Sequence, residues 1–394
     1  MKLPSSHKSF SARAFSLIEL MVSIAVLSLL LVIVFQMLEQ MQKTWKRTRQ
    51  TVAEFKDARN GFEEMGRRLG QATTNSYYGY IKAKAPIGSS GQTALYGRQI
   101  VRQSELHFVS GPSSILLKAN KSQGTGSRPG HSVFFQAPFG FCFDRAKKNA
   151  SRMEFEQLNN LLNAWGYFVE FNTDEMDRPR FLNALKNAPA PRPRYRLMEF
   201  RQPTEYLQIY KLALRDLVSV NQETAYEWFS KDVFSVNSPW NYEKEPKQSE
   251  LFFRTTRPIA ENIIAMIILP REAETNTAGK KPEDLSPDYL YDTRRWQWST
   301  STAPPVTKSR HVLPPILEVL FVAVDEASFA TYAQIAGIKD VNGDPLLVSK
   351  DLFLRAANKD KDIDELETKL RSLKLDYRVF NSSIRLRESK WEDL

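Results

Sequence analysis

The sequence predicts an α+β protein in which a long N-terminal helix, half membrane-length and half amphipathic, packs on an antiparallel sheet head with extra helices. Three observations predict it. Residues 15–38 are apolar apart from Glu19, three serines and Gln36. Apolar residues then recur in steps of three and four as far as Leu69. From residue 76 onward, short strand-like runs alternate with turn signals and a few helical stretches.

Residues 1–14 form a short leader with Lys2, Lys8 and Arg13 and no acid. The span 15–38 reaches roughly 36 Å at about 1.5 Å per residue, enough to cross a hydrocarbon core of about 30 Å. A cleaved secretory signal would have a shorter apolar region ending in small residues. This run instead leaves through "VFQMLEQMQ". Lys43, Lys46, Arg47 and Arg49 follow the span, so the positive-inside count against the leader is close to a draw and sets no orientation.

Residues 39–72 continue the helix. Leu38, Met41, Trp45, Thr48, Val52, Phe55, Phe62, Met65 and Leu69 make a stripe, with Arg59 in the one skipped place. No proline lies between Phe15 and Leu69, and Gly61 and Gly66 are the interior glycines. One helix to about Ala72 follows, with "TTNSYYGY" ending it. A two-chain coiled coil would use the same stripe, but three aromatic residues in the seam suit a sheet face better than knobs-into-holes packing.

The head spans 76–394, with an insertion-like region at 76–250 and a sheet region at 251–394. Strands are expected at 104–110, 114–119, 131–137, 165–171, 195–200, 261–269, 316–324 and 376–387, and helices at 152–164, 221–230, 325–336 and 361–374. Pro- and Gly-rich stretches at 121–130, 187–194 and 299–315 separate them.

With 42% hydrophobic and 25% charged residues, the chain has the composition of a folded protein rather than a disordered one. The net charge of +10 falls to +7 without the leader and contains no dense basic block, so a solvated surface is expected and no nucleic-acid partner. Cys142 is the single cysteine, which rules out an intramolecular disulfide; it lies among aromatics in "FGFCFD" and reads as buried.

Motifs for chemistry are sparse. HExxH, GxSxG, paired CxxC and Walker patterns do not occur, and "GTGSRPG" lacks a P-loop lysine. His131 and Ser132 are neighbours on a strand and so point to opposite faces. No catalytic residue is assigned and no enzyme activity is expected. One cation candidate exists: Asp340, Asn342, Asp344 and Asp351 stand at positions 1, 3, 5 and 12 of a calcium-loop spacing. Pro345 occupies the place of the sharp-turn glycine, and "VNGD" is a good hairpin turn by itself. No other cofactor is expected.

The stretch "RAFSLIELMVSIAVLSLLLVIVF" resembles the N-terminus of type IV prepilins and of the pseudopilins of type II secretion. The resemblance implies cleavage between Ala14 and Phe15 by a prepilin peptidase at the cytoplasmic face and N-methylation of Phe15. It places Glu19 at mature position five, where it would pair with a neighbouring subunit's amino terminus. Ala14 stands where that family nearly always has Gly. An intramembrane carboxylate costs roughly 2.5–3.5 kcal/mol and is rarely kept without a partner, which supports that role. The competing reading has Glu19 snorkel to the interface on an uncleaved anchor. In the head, "RPIAENIIAMIILPRE", "LPPILEVLFVAVDEA" and "YRVFNSSIRLRESKW" are similar to J-type minor pseudopilins. "HSVFFQAP", "WGYFVEF", "YRLMEFRQPTEYL" and "YLYDTRRW" are similar to the Verru_Chthon cassette protein C family. These resemblances imply a pilin-like fold and a structural subunit of an inner-membrane filament, with other pilins or pseudopilins as partners, the leader cytoplasmic and the head periplasmic. A filament-tip adhesin or cargo-binding module, and an uncleaved single-pass periplasmic protein, remain as alternatives.

Overall fold

The computed structural model describes residues 16–82, 98–117, 127–142, 160–173, 192–204, 207–213, 226–234, 255–272, 285–294, 311–338, 345–346 and 352–391, with single residues at 181, 185 and 188. The chain divides into two units, Met1–Ala53 and Glu54–Leu394. Helix α1, Leu17–Leu69, begins in the first and ends in the second.

In the first unit every described side chain from Ser16 to Lys46 is exposed, including the whole apolar run. The expected stripe at Leu38, Met41, Trp45 and Val52 is likewise exposed. Polar contacts on this stretch are local: Lys43 Nζ meets Glu39 Oε1 at 2.7 Å, one turn apart.

In the second unit α1 is buried on one face. Phe55 is half-buried, and Ala58, Phe62, Met65, Leu69 and Ala72 follow it into the core at spacings of three and four. The sequence placed Arg59 in the stripe. Ala58 fills that place instead, while Arg59 is exposed and bonds Glu63 at 2.7 Å. The small side chain lets the helix approach closely: a Cβ on the next glycine, Gly61, would lie 3.0 Å from the Ala260 Cβ. Arg67 and Arg68 occupy the last turn, where cations oppose the helix dipole.

Eleven strands follow among the described residues, and all their pairings are antiparallel. A two-stranded ribbon joins β1 (Tyr77–Lys82) and β2 (Arg98–Gln103). A six-stranded sheet contains β3 (Val109–Pro112), β4 (His131–Ala137), β5 (Asn163–Thr173), β6 (Pro193–Gln202), β7 (Thr256–Glu261) and β9 (Tyr291–Asp292), in the order β7-β6-β5-β4-β3-β9. A three-stranded sheet places β10 (Ile316–Val324) between β8 (Ile263–Arg271) and β11 (Tyr377–Arg385).

Strands β4, β5 and β6 of the six-stranded sheet are largely buried on both faces, which explains why β4 and the start of β5 read as runs with little polar alternation. Phe135, Trp165, Tyr167, Val169 and Leu197 share one core with α1 and the three-stranded sheet; Phe62 meets Phe321 edge-on at 4.8 Å there. Alternate residues Phe134, Phe168, Met198 and Phe200 point into a second core. Helices α3 (Gln208–Ala213) and α4 (Glu227–Phe234) cover it with Ile209, Trp228 and Phe229, and Phe229 stacks on Phe134 at 3.8 Å. On the remaining elements, α5 (Glu326–Ile335) is capped by Asp325, whose carboxylate accepts the Ser328 N–H, and α6 (Lys359–Ser372) buries Leu366 and Leu370.

Several expectations are revised. The run 261–269 is two strands broken at Asn262, which sits in the left-handed region with φ 61°. Its N–H donates to Tyr195 O in one sheet and its carbonyl accepts from the Val324 N–H in the other, so the chain turns a corner between sheets there. Residues 114–116 belong not to a strand but to the one-turn helix α2, Ser113–Leu116, which buries Leu116. A short apolar run carries no period of its own, so tertiary packing decides. The strand expected at 104–110 starts only at Val109, and Asn163 and Ala164, expected to be helical, open β5. Residues 152–159 and 221–225 lie outside the described residues.

Candidate functional site

The candidate site is α1, taken from its first turn to the place where it meets the head. Ser16 is the N-cap: its Oγ accepts the Glu19 N–H at 3.2 Å, and its carbonyl accepts the Glu19 and Leu20 N–H groups. Ser16-Leu17-Ile18-Glu19 has the spacing of a capping box, a signal the sequence reading did not use. The carboxylate of Glu19 therefore sits in the first helical turn, at the positive end of the dipole, and is solvent-facing in the isolated chain. No side chain among the described residues bonds to it. Ser23 and Ser28 turn their hydroxyls onto the Leu20 and Ala25 carbonyls at 2.9 Å, so these two polar atoms are satisfied within the apolar run. Helix α1 alone among the described helices is long and apolar enough to cross a membrane.

At its other end α1 is tied to the six-stranded sheet by a buried carboxylate. Glu199 on β6 takes Arg68 Nη1 at 2.5 Å, Trp165 Nε1 at 2.9 Å and Tyr167 OH at 3.2 Å on Oε1, and Arg257 Nε at 2.6 Å on Oε2. The guanidinium of Arg68 also lies 4.7 Å over the Trp165 ring. Glu64, one turn earlier, holds Arg68 at 2.7 Å and also bonds Arg67. Burial raises the Glu64 carboxyl, but these two arginines outweigh it and hold the group below its usual range. Burial and the nearby Glu199 charge push the Tyr167 hydroxyl well up, so it serves as a neutral donor.

Two of the described histidines, His107 and His131, are engaged structurally. His107 and Asp292 form a close pair, Nε2 to Oδ1 at 2.7 Å, the geometry of half a catalytic triad. Its other nitrogen, Nδ1, accepts from Trp228 Nε1 at 3.2 Å, Tyr226 OH bonds Asp292 at 3.0 Å, and His107 and Asp292 are inaccessible. That arrangement leaves no imidazole nitrogen for a nucleophile. Burial lowers the His107 pKa against the pull of Asp292, so the ring is neutral, protonated on Nε2. His131 links the two sheets: Nδ1 accepts the Ile268 N–H at 3.0 Å and Nε2 donates to Phe353 O at 3.1 Å. Cys142 is buried, as expected.

Ala14 and Phe15 lie outside the described residues, as do Asp340, Asn342, Asp344 and Asp351. Among the described residues no group of three or more His, Cys, Asp or Glu side chains could hold a metal ion.

A family model, the prokaryotic N-terminal methylation motif, matches residues 10–35. It takes in the leader's end, the helix cap, Glu19 and most of the apolar run, and it supports a type IV pilin-like prepilin. No curated protein and no solved structure matches the chain.

Proposed function

We propose that the chain is a non-enzymatic minor pilin or pseudopilin, a structural subunit of a filament anchored in the inner membrane. The observation that carries the reading is the coincidence, within residues 10–35, of the methylation motif with a capped helix whose first turn presents Glu19. Cleavage between Ala14 and Phe15 would leave a new amino group one residue before the N-cap Ser16. The helix start would then carry both a cation and, four residues on, a carboxylate. In lipid neither is stable alone, and a staggered neighbour would supply each with its partner. The leader would be cytoplasmic and the head periplasmic, with a prepilin peptidase and other pilin-like subunits as partners. A head of this size favours a minor, tip-proximal place over the shaft. The calcium-loop spacing at Asp340, Asn342, Asp344 and Asp351 is read as a turn.

Intact mass of the protein purified from its native membrane tests the processing: the expected species begins at Phe15 and carries one added methyl. Glu19→Ala should leave membrane insertion unchanged and abolish co-purification with the other pilin-like subunits. Mature protein that begins at Met1, or co-purification that survives Glu19→Ala, overturns the reading in favour of a simple anchor.

A further inference from the structure

Helix α1 leaves its apolar run through a band of one charge sign. From Gln40 to Ala53 there are four cations, Lys43, Lys46, Arg47 and Arg49, and no acid. Lys43, Lys46 and Arg49 recur in steps of three, so they share one side of the helix, and their side chains are exposed. Glu39 pairs with Lys43 at 2.7 Å, whereas no carboxylate among the described residues meets Lys46 or Arg49. On the neighbouring side Met41 and Trp45, one turn apart, are also exposed, Trp45 by 66%.

The helix is unbroken from the apolar run through this band, so its rise fixes how far each residue stands from a bilayer. A hydrocarbon core of about 30 Å takes about 20 residues at about 1.5 Å each, which is the length of Glu19–Leu38. With Glu19 at one edge of the core, Lys43 lies about 7.5 Å beyond the other edge, at the outer limit of a headgroup layer of about 5–7.5 Å. Helical side chains lean toward the N-terminus, here toward the bilayer. The Lys43 and Lys46 ammoniums and the Trp45 indole therefore reach back to that layer. Arg49 stands about 9 Å further out than Lys43, close to the Debye length of about 8 Å at physiological salt. The first anions met at this depth are phospholipid headgroups. A second copy of the helix in register would instead set the same acid-free band against itself, where like charges repel.

We propose that Lys43, Lys46 and Arg49 form a collar for the anionic phospholipid headgroups of the leaflet where α1 leaves the bilayer, with the Trp45 indole among those headgroups. The inference rests on the reading of α1 as a membrane anchor. It does not depend on filament assembly or on which leaflet the helix leaves.

The test reconstitutes the full chain in vesicles of equal parts phosphatidylcholine and phosphatidylglycerol, with one lipid at a time brominated near the glycerol end of its chains. Bromine quenches an indole in contact with it, and the difference between the parent and Trp45→Phe isolates the Trp45 signal. Brominated phosphatidylglycerol should quench that signal about fivefold more efficiently than brominated phosphatidylcholine, the weight of one cation beside an anionic surface. Raising salt from about 0.15 M to 1 M shortens the Debye length from about 8 Å to 3 Å and should bring the ratio below about twofold. The triple variant Lys43→Gln/Lys46→Gln/Arg49→Gln should bring it equally low without salt, whereas Lys361→Gln, an exposed cation on α6, should leave it unchanged. Near-UV circular dichroism identical to that of the parent shows that each variant is folded. The collar alone is overturned if the chain floats with the vesicles and either lipid quenches Trp45 equally, if neither quenches it, if the triple variant keeps the parent ratio, or if Lys361→Gln lowers the ratio as far. A chain that fails to float with the vesicles overturns the anchor reading and the collar together.

Discussion

Acidification should weaken the head through one side chain, His131. Both ring nitrogens are committed, Nε2 to the Phe353 carbonyl and Nδ1 to the three-stranded sheet, where it must be unprotonated to accept the Ile268 N–H. Burial pushes the pKa from 6.5 down to about 4, against the opposing backbone bonds to Phe353 and Ile268. The folded state therefore resists protonation that the unfolded chain accepts. Stability from this group is complete above about pH 6.5, falls as pH drops toward about 4, and is flat below that. Linkage between these two values gives a loss of about 2.5 kcal/mol between pH 7.5 and pH 4.5. Urea unfolding of the full chain in detergent at the two pH values measures it. His131→Gln serves as the reference because it cannot titrate and retains a donor and an acceptor. Carboxylates and His107 contribute to both proteins and cancel in the difference. The variant should start less stable at pH 7.5 and lose about 2.5 kcal/mol less on acidification. Parallel losses in parent and variant would refute the assignment of His131 as a neutral bridge.

Two further substitutions probe the elements that hold the head together. Glu199→Gln leaves Arg68 and Arg257 without their shared carboxylate; because both arginines are partly exposed, the expected cost is reduced to about 2–3 kcal/mol. A double-mutant cycle with Arg68→Met should return a coupling of at least about 1 kcal/mol, and zero coupling would show that the two act independently. Gly130→Ala should cost about 2–4 kcal/mol in urea unfolding, since φ is 72° and a Cβ would meet the Met266 carbonyl oxygen at 2.8 Å; a loss under about 1 kcal/mol would show that the sheets separate easily.

The parts of the fold legible in the sequence are those where one local signal is sufficient. The runs at 131–137 and 316–324 are bounded by turn residues and match β4 and β10 residue for residue. The expected helices at 325–336 and 361–374 match α5 and α6 to within two residues at either end, because an Asp cap and i,i+4 charge pairs are local. The ribbon was missed: "YYGYIK" reads as the tail of a helix terminator, and "RQIVRQ" has few apolar residues to alternate. Asn262 was missed because a left-handed corner leaves apolar neighbours on both sides. Glu19 stood out as the acid within an apolar run, whereas Glu199 and the His107–Asp292 pair had no such signal. Asp292 lies 185 residues from its histidine, and Arg68 lies 131 from Glu199, so neither pair has a local signature.

The last turns of α1 touch both sheets at once: Phe62 reaches Phe321 and Phe380 on the three-stranded sheet, and Arg68 reaches Glu199 on the six-stranded one. Asn262 joins the same two sheets through the backbone. A pull applied along the helix would therefore be divided between two sheets that are themselves stitched together, and neither could peel away strand by strand while the other held. Such a load path resists tension through simultaneous rupture of packing, an ion cluster and a covalent corner. If the chain is the filament subunit proposed above, that toughness would suit a head that must bear tension along its N-terminal helix.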